Sequence, residues 1–267
     1  MRKNNKRKKN LGRQHFVIQN IFYKNNFFIW RKVMEKFELK IRGMLKRREF
    51  IRIVVFGASN TQRYLPGAHW FDYVEMGFKN QYGGNCGHFI NSGSNGNTTF
   101  DLLNRFERDL AFYKPDLVIM TIGGNDCNPV NNISADQFRA NLIELCNKIK
   151  ALGSDILLQT YYACDLENIT PPERAELMVQ YMQIVREVAA SENLLLNDND
   201  MRWAQLRDSD LATYRLLMLN SMHVNDIGNQ VIGLDLLRKL GVSLREDYRA
   251  QCAPGLLAQA LLDRCSK

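Results

Sequence analysis

Four short stretches of this 267-residue chain hold, between them, a hydroxyl, an imidazole, a side-chain amide and loops of small residues. The first ends Val54-Val55-Phe56-Gly57-Ala58-Ser59-Asn60-Thr61, where an apolar, β-branched run breaks at a glycine and then presents Ser59. A buried parallel strand reads this way, and open α/β sheets gather their ligands at the carboxyl ends of such strands. The second is Asn91-Ser92-Gly93-Ser94-Asn95-Gly96-Asn97-Thr98-Thr99, whose small residues let backbone N–H groups approach a ligand closely. The third, Thr121-Ile122-Gly123-Gly124-Asn125-Asp126, can hold a carboxamide over the sheet edge. The fourth, Asn220-Ser221-Met222-His223-Val224-Asn225-Asp226-Ile227-Gly228, carries the one histidine of four that lies between the last strand-like run and a helical pattern. A serine, a carboxamide and a histidine on one edge are the parts of acyl transfer. Each stretch has a plainer reading: a strand–Gly–Ser turn, a phosphate cradle, an Asx turn, a structural histidine. The cradle lacks the Gly-Lys-Ser/Thr ending of a P-loop, and Gly93-x-x-Gly96 is not the dinucleotide fingerprint.

The elements that must position these residues alternate along the chain. Strand-like runs lie at Ile51–Phe56 and near 88–91, 117–122, 156–162 and 194–196. Between them, Leu103, Phe106 and Leu110, then Phe138 to Leu152, then Met178, Tyr181, Val185 and Val188 recur at helical steps, as do Val231, Leu234, Leu237 and Leu240 at the end. Ser134 with Gln137 and Thr170 with Glu173 have capping-box spacing, the latter with Pro171 at the first helical position; Thr98 with Asp101 is a weaker version. Alternation of this kind predicts an α/β fold with a mainly parallel sheet covered by helices on both faces.

Taken together, the four stretches resemble the sequence blocks of the SGNH, or GDSL-type, hydrolase family. Phe56-Gly57-Ala58-Ser59 stands as the first block, with Ala58 where the family usually has Asp; Gly96 is the glycine of the second, Gly123-x-Asn125-Asp126 the third, and His223-x-Asn225-x-x-Gly228 the last. The blocks cover residues 53–228 in the family's order. The resemblance implies a flavodoxin-like three-layer α/β/α sandwich with a five-stranded, mainly parallel sheet. It further implies a serine ester hydrolase with Ser59 as nucleophile and His223 as base. The oxyanion hole would consist of the Ser59 and Gly96 backbone N–H groups and the Asn125 amide, with no metal and no cofactor. The family's third catalytic residue is an Asp three positions before the histidine, and here that position is Asn220. Three possibilities follow: Asn220 or a backbone carbonyl orients His223; a carboxylate from Asp198, Asp200 or Asp226 takes the role; or the site is crippled. The expected substrate is a small acyl ester, an acetyl group on a sugar, with Asn60, Gln62, Asn95, Asn97 and Asn128 lining a polar crevice. Tyr64, His69, Trp70, Tyr161 and Tyr162 are the candidates for stacking on a pyranose, with buried core the plainer fate for some of them. The alternatives are a thioesterase or lysophospholipase, a non-catalytic binding protein, and a flavodoxin-like nucleotide binder.

Charge divides the chain. Residues 1–50 hold 16 Lys/Arg against 3 Glu, while the remainder holds 20 against 25, so the net charge of +8 belongs to the amino-terminal part. The expected organisation is a basic, partly disordered extension over 1–49, a hydrolase domain over 50–244 and a helical extension over 245–267. A basic arm with aromatics can touch nucleic acid or an anionic membrane surface, but a solvated extension is the simpler expectation, with no specific nucleic-acid partner. No run has the length of a membrane span or the unbroken apolar core and small-residue cleavage site of a signal peptide. The six cysteines form no CxxC pair, and free thiols in a cytoplasmic protein are the expectation. Cys86 and His88 sit at ligand spacing, yet no second pair supports a metal site.

Overall fold

β1 (Ile51–Gly57) lies inside a five-stranded sheet whose other members are β2 (Gly87–Gly93), β3 (Leu117–Thr121), β4 (Asp155–Gln159) and β5 (Leu195–Asn197). Every pairing is parallel and the order is β2-β1-β3-β4-β5. This is the flavodoxin-like order, in which the chain reverses direction across the sheet between β1 and β3 and leaves a crevice at their carboxyl ends. The computed structural model describes Glu35, residues 39–47 and residues 49–265. The basic extension expected over 1–49 falls largely outside these residues. Residues from Ile41 onward belong to one compact unit.

Helices cover both faces, completing three layers. Val54, Phe56, Val118, Met120, Ile156 and Leu158 point into one core together with Leu102 of α2 (Thr99–Asn104), Phe106 of α3 (Phe106–Asp109), and the buried stripes of α4 (Ala135–Ala151) and α5 (Glu173–Ser191). The alternate residues Ile53, Val55, Ile119 and Leu157 are equally buried and face the other way, as strand geometry requires. That second side carries α1 (Trp70–Tyr82) and α8 (Asp226–Lys239), which pack together. α6 (Asn199–Ser209) is followed by the short α7 (Leu211–Arg215); α9 (Glu246–Gln251) and α10 (Ala253–Cys265) close the chain, with α10 against α6 and α8. Gly255 N–H donates to Gln230 Oε1 at 2.7 Å, and Arg238 pairs with Asp263 at 2.9 Å, which locks α10 to α8.

Local signals account for most helix starts. Ser134 and Gln137 cap α4 reciprocally, and Thr98 and Asp101 do the same for α2. α5 begins later than its spacing predicts, at Glu173 with Pro172 as N-cap and no side-chain cap. Pro172 carries no N–H, so a cap at Thr170 would lose one of the two donors it normally serves. α1 is not marked by a conventional cap at all: His69 accepts from the Phe71 N–H and Asp72 accepts from the His69 N–H. Among the described residues no helix is long and apolar enough to cross a membrane. All six cysteines are free thiols. Cys86 is buried and His88 packs edge-on against Phe50 at 5.2 Å, and no metal-holding cluster occurs among the described residues.

Two glycines set the approach of the loops at the sheet edge. A Cβ on Gly57 would lie 2.3 Å from the Thr121 carbonyl, and one on Gly93 would lie 2.2 Å from the Gln62 nitrogen. Backbone cannot yield as a side-chain tip can. Gly93→Ala is therefore expected to lower stability by about 2–3 kcal/mol, roughly 5–10 °C in Tm, by overpacking. Gly84→Ala, where nothing lies within 4 Å, should leave Tm unchanged. Thermal denaturation of the two variants checks the contrast; equal Tm values would mean the loops are not held this tightly.

Candidate active site

Ser59 lies two residues past the end of β1, in a turn closed by Thr61 and Gln62 N–H groups on the Ala58 carbonyl, both at 3.0 Å. Ala58 is wholly buried in the core, and Ser59 itself is 7% exposed. The next residue is clamped from three sides. The Asn60 carbonyl accepts from Trp70 Nε1 at 2.7 Å and from His69 Nε2 at 3.1 Å, while Asn60 Oδ1 accepts from the Tyr162 hydroxyl at 2.9 Å. Burial lowers the His69 pKa to about 4, so it serves as a neutral cap, not as a base. Trp70, Tyr161 and Tyr162 are 2–3% exposed and His69 is half-buried with both ring nitrogens engaged, which leaves Tyr64, at 45%, as the most open of the stacking candidates.

His223 reaches across from the loop before α8. Its Nε2 lies 2.9 Å from Ser59 Oγ, and its Nδ1 lies 3.1 Å from Asn220 Oδ1. The same Asn220 oxygen accepts the Met222 and His223 backbone N–H groups, each at 2.9 Å. Three donors converging on one atom require it to be the amide oxygen, because an NH₂ group there would face two N–H groups. The loop is braced further by Leu219 N–H on the His223 carbonyl at 2.8 Å and by Asn225, whose side chain caps α8 at the Gly228 N–H and donates to the Leu216 carbonyl at 2.7 Å. With Nδ1–H donating to Asn220, the Nε2 lone pair is left to face the serine hydroxyl.

None of the three aspartates considered as substitutes meets His223. Asp198 and Asp200 both hold Arg186, at 2.8 and 2.6 Å. Asp226 Oδ1 accepts the Ala68 N–H at 3.0 Å. His223 therefore has an amide where a carboxylate would stabilise its charged form, and its pKa is lowered from the ordinary 6.5 by burial and, secondly, by the positive charge of Arg174. Tyr64 stands edge-on to the His223 ring, centroids 6.4 Å apart, and its hydroxyl meets the Ser59 side chain; burial raises its phenol while that bond opposes the shift.

The other two loops lie along the same edge. Ser94 N–H donates to the Gly57 carbonyl at 3.0 Å, tying the Gly96 loop to the end of β1. Gly96 has φ +79°, a conformation that suits glycine. Asn125 Nδ2 donates to the Asn97 carbonyl at 2.9 Å, next to Gly96, and its second N–H is left for a ligand. Among the described residues no hydrogen bond engages the N–H of Ser59 or of Gly96. Asp126 secures this arrangement from below: one oxygen accepts both the Thr99 N–H at 2.8 Å and its hydroxyl at 2.6 Å. Burial raises its carboxyl pKa, partly offset by those two bonds.

Arg105 is a residue that no sequence pattern singles out. Its Nε donates to Asn97 Oδ1 at 2.6 Å, its Nη2 to the Gly57 and Ser92 carbonyls at 2.9 Å each, and its guanidinium lies 4.5 Å over the Phe56 ring. One side chain thus joins the ends of β1 and β2 to the Gly96 loop. The polar crevice expected from sequence is partly spoken for in the same way, since Gln62 Oε1 accepts the Asn95 N–H at 2.6 Å and Asn97 serves Arg105. A narrow pocket beside Ser59 is lined by Leu65, Trp70, Tyr162 and Val224.

Comparison with known proteins points the same way as this geometry. The sequence profile of the GDSL-like lipase/acylhydrolase family matches residues 55–231. An acetylxylan esterase of Geobacillus stearothermophilus is 26% identical over 196 residues, covering 70% of this chain and 84% of its own. A crystal structure of an acetylxylan esterase from the same organism superposes with a TM-score of 0.61 at 25% identity, over 73% of this chain and 96% of that one. Structures of its catalytic mutants, one with a serine and one with an aspartate replaced, match at TM-scores of 0.61 and 0.62. A further acetyl xylan esterase, at 23% identity and TM-score 0.62 over 70% of this chain and 98% of that one, shares the fold.

Removing Arg105 with Arg105→Met strips charged donors from two carbonyls and from Asn97. Stability should fall by about 2 kcal/mol, the scale of a hydrogen bond to a charged group, and kcat on a small ester by roughly tenfold as Gly96 drifts. Urea unfolding and steady-state kinetics check both; an unchanged kcat would show that the Gly96 loop holds its place without Arg105.

Proposed function

The chain belongs to the GDSL-like lipase/acylhydrolase family and is a carboxylic ester hydrolase, and from that premise we propose that it removes acetyl groups from carbohydrate through an acyl-enzyme on Ser59. The observation that carries the reading is the hydrogen-bonded series Asn220 Oδ1, His223 Nδ1, His223 Nε2 and Ser59 Oγ, at 3.1 and 2.9 Å. His223 takes the Ser59 proton on Nε2 as Oγ attacks the acyl carbon. The resulting oxyanion is received by the Ser59 and Gly96 N–H groups and by Asn125 Nδ2, each such donor being worth about 3–4 kcal/mol. The imidazolium then returns its proton to the departing sugar oxygen. A water deprotonated by the same nitrogen hydrolyses the acyl-enzyme and releases acetate. The acetylxylan esterase relatives support a sugar acetate as substrate, and so does the narrow pocket at Ser59. Tyr64 offers an exposed ring beside the base for a pyranose to rest on.

Asn220 is the departure from the family pattern, and its orientation decides how much that costs. In serine proteases an Asp-to-Asn exchange costs about 10⁴-fold in kcat because the amide imposes the wrong tautomer. Here two backbone N–H groups hold the amide oxygen toward the ring, so the productive tautomer is kept. What is lost is the charge that would stabilise the imidazolium.

Two experiments test this. Ser59→Ala should abolish turnover of p-nitrophenyl acetate and of acetylated xylo-oligosaccharide, by at least about 10³-fold, while wild type should prefer acetate to octanoate esters. Activity surviving in folded Ser59→Ala, or equal rates on octanoate, would overturn the reading. Asn220→Asp should raise kcat by about tenfold, since the new charge acts only as His⁺ forms. Because neutral His223 is the active form, the wild-type acid limb of kcat/KM should lie below pH 6.5, and the new anion should move it upward. A limb that stays in place in Asn220→Asp would contradict the assigned contact.

A further inference from the structure

We infer that Arg174 is a positioning residue for the oxyanion cradle: its guanidinium holds the Gly124 carbonyl beside Asn125 and brings the site a fixed positive charge that forms no ion pair among the described residues. The inference rests on the Ser59 reading above and extends it to a residue outside the family's blocks. Arg174 is the second residue of α5, and its Nη2 reaches back to the loop after β3, donating to the Gly124 carbonyl at 2.5 Å.

Within that loop the Gly123 carbonyl accepts the Cys127 N–H at 3.0 Å, and the Asn125 carbonyl accepts the Asn128 N–H at 3.0 Å and Asn131 Nδ2 at 2.8 Å, while the Gly124 carbonyl between them is held from α5. Gly123 has φ +111°, and a Cβ on Gly124 would lie 2.4 Å from the Tyr161 ring, so two consecutive glycines precede the amide that receives the oxyanion. Glycine backbone is the least restrained of any residue. The Gly124 carbonyl is gripped by Arg174 and, more weakly, by Cys127 Sγ at 3.2 Å. Turning that peptide would swing Asn125 off the Asn97 carbonyl and out of the cradle.

The charge argument is independent of the brace. Among the described residues, Arg63 pairs with Asp72, Arg215 with Asp165, and Asp198 and Asp200 with Arg186, while Asp226 meets the Ala68 N–H and Asp126 the Thr99 N–H and hydroxyl; Glu173 and Glu176 share the first turn of α5 with Arg174 but form no ion pair with it. Arg174 has no carboxylate partner among the described residues, and its Nε is buried without any partner. A partly buried cation left unpaired is costly unless a negative charge develops near it. In this site the triad carboxylate is absent, and the anion that forms during reaction is the oxyanion held by Asn125. A positive charge there favours the tetrahedral state over the neutral ester, and it disfavours protonation of His223 before attack.

The test uses the full chain with two variants, Arg174→Met and Arg174→Lys, read on p-nitrophenyl acetate. Arg174→Met should lower kcat by about 10- to 100-fold with KM within about threefold, the pattern of a lost transition-state interaction. Its acid limb should move to higher pH, because the cation that opposed His223 protonation is gone. Arg174→Lys keeps the charge without the planar fork, so its limb should stay with wild type while kcat recovers only in part. A merely structural role would lower stability without moving the limb. An Arg174→Met enzyme with wild-type kcat and limb would overturn the inference, as would a rise in KM alone. Should Arg174→Met not fold, an Arg174→Lys enzyme with undiminished kcat would overturn it equally. Ser59→Ala remains the separate test of the reading on which it rests.

Discussion

The orientation of one carboxamide governs how this site can work. Asn220 carries no charge, and an amide rotated by 180° would offer hydrogens to His223 Nδ1 and leave the ring protonated on the nitrogen that faces Ser59. The two backbone N–H groups of Met222 and His223 forbid that rotation, since both need an acceptor and both point at Oδ1. The loop thus supplies through geometry the tautomer that a carboxylate supplies through charge. The Met218–Val224 bridge and the cap on α8 hold those N–H groups in place. The selection of the tautomer costs the protein nothing at the transition state, whereas the missing charge does.

Around this loop the rest of the edge is built by close approach. Gly57 and Gly93 let the ends of β1, β2 and β3 crowd together, and Arg105 and Asp126 cross-link the loops that emerge there. Donors fixed in advance act on a developing charge without reorganisation, and under the proposed mechanism that is the purpose these cross-links serve. The low exposure of Ser59 and the burial of Trp70 and Tyr162 beside it keep the Ser59 hydroxyl in a confined space.

Much of this was legible in the chain and some was not. The buried strand before Ser59, the loops at Gly96 and Asn125, and the helix stripes have local periodicity or turn chemistry, so sheet, layers and blocks follow from the residues. The α1 crossover was hidden because His69 performs a capping task usually given to Ser, Thr, Asp or Asn. The role of Asn220 could be posed but not decided from the residues, because Asn220 or a backbone carbonyl, one of three aspartates, and a crippled site all stood open; in the structure Arg186 and the Ala68 N–H engage the aspartates. Arg105 and Arg174 had no signal at all: each acts on carbonyls distant in sequence, at Gly57, Ser92 and Gly124, and carbonyls are the same in every residue. Stacking and burial could not be told apart for Trp70, Tyr161 and Tyr162, since an aromatic side chain reads alike whether it lines a cleft or fills a core; in the structure all three are buried.

The central claim is that a neutral amide holds His223 in the productive tautomer, and ¹⁵N NMR of the imidazole at neutral pH tests it directly. The account predicts one neutral species with the proton on Nδ1 and Nε2 unprotonated, facing Ser59. A ring protonated on Nε2, or an even mixture of the two tautomers, would contradict it.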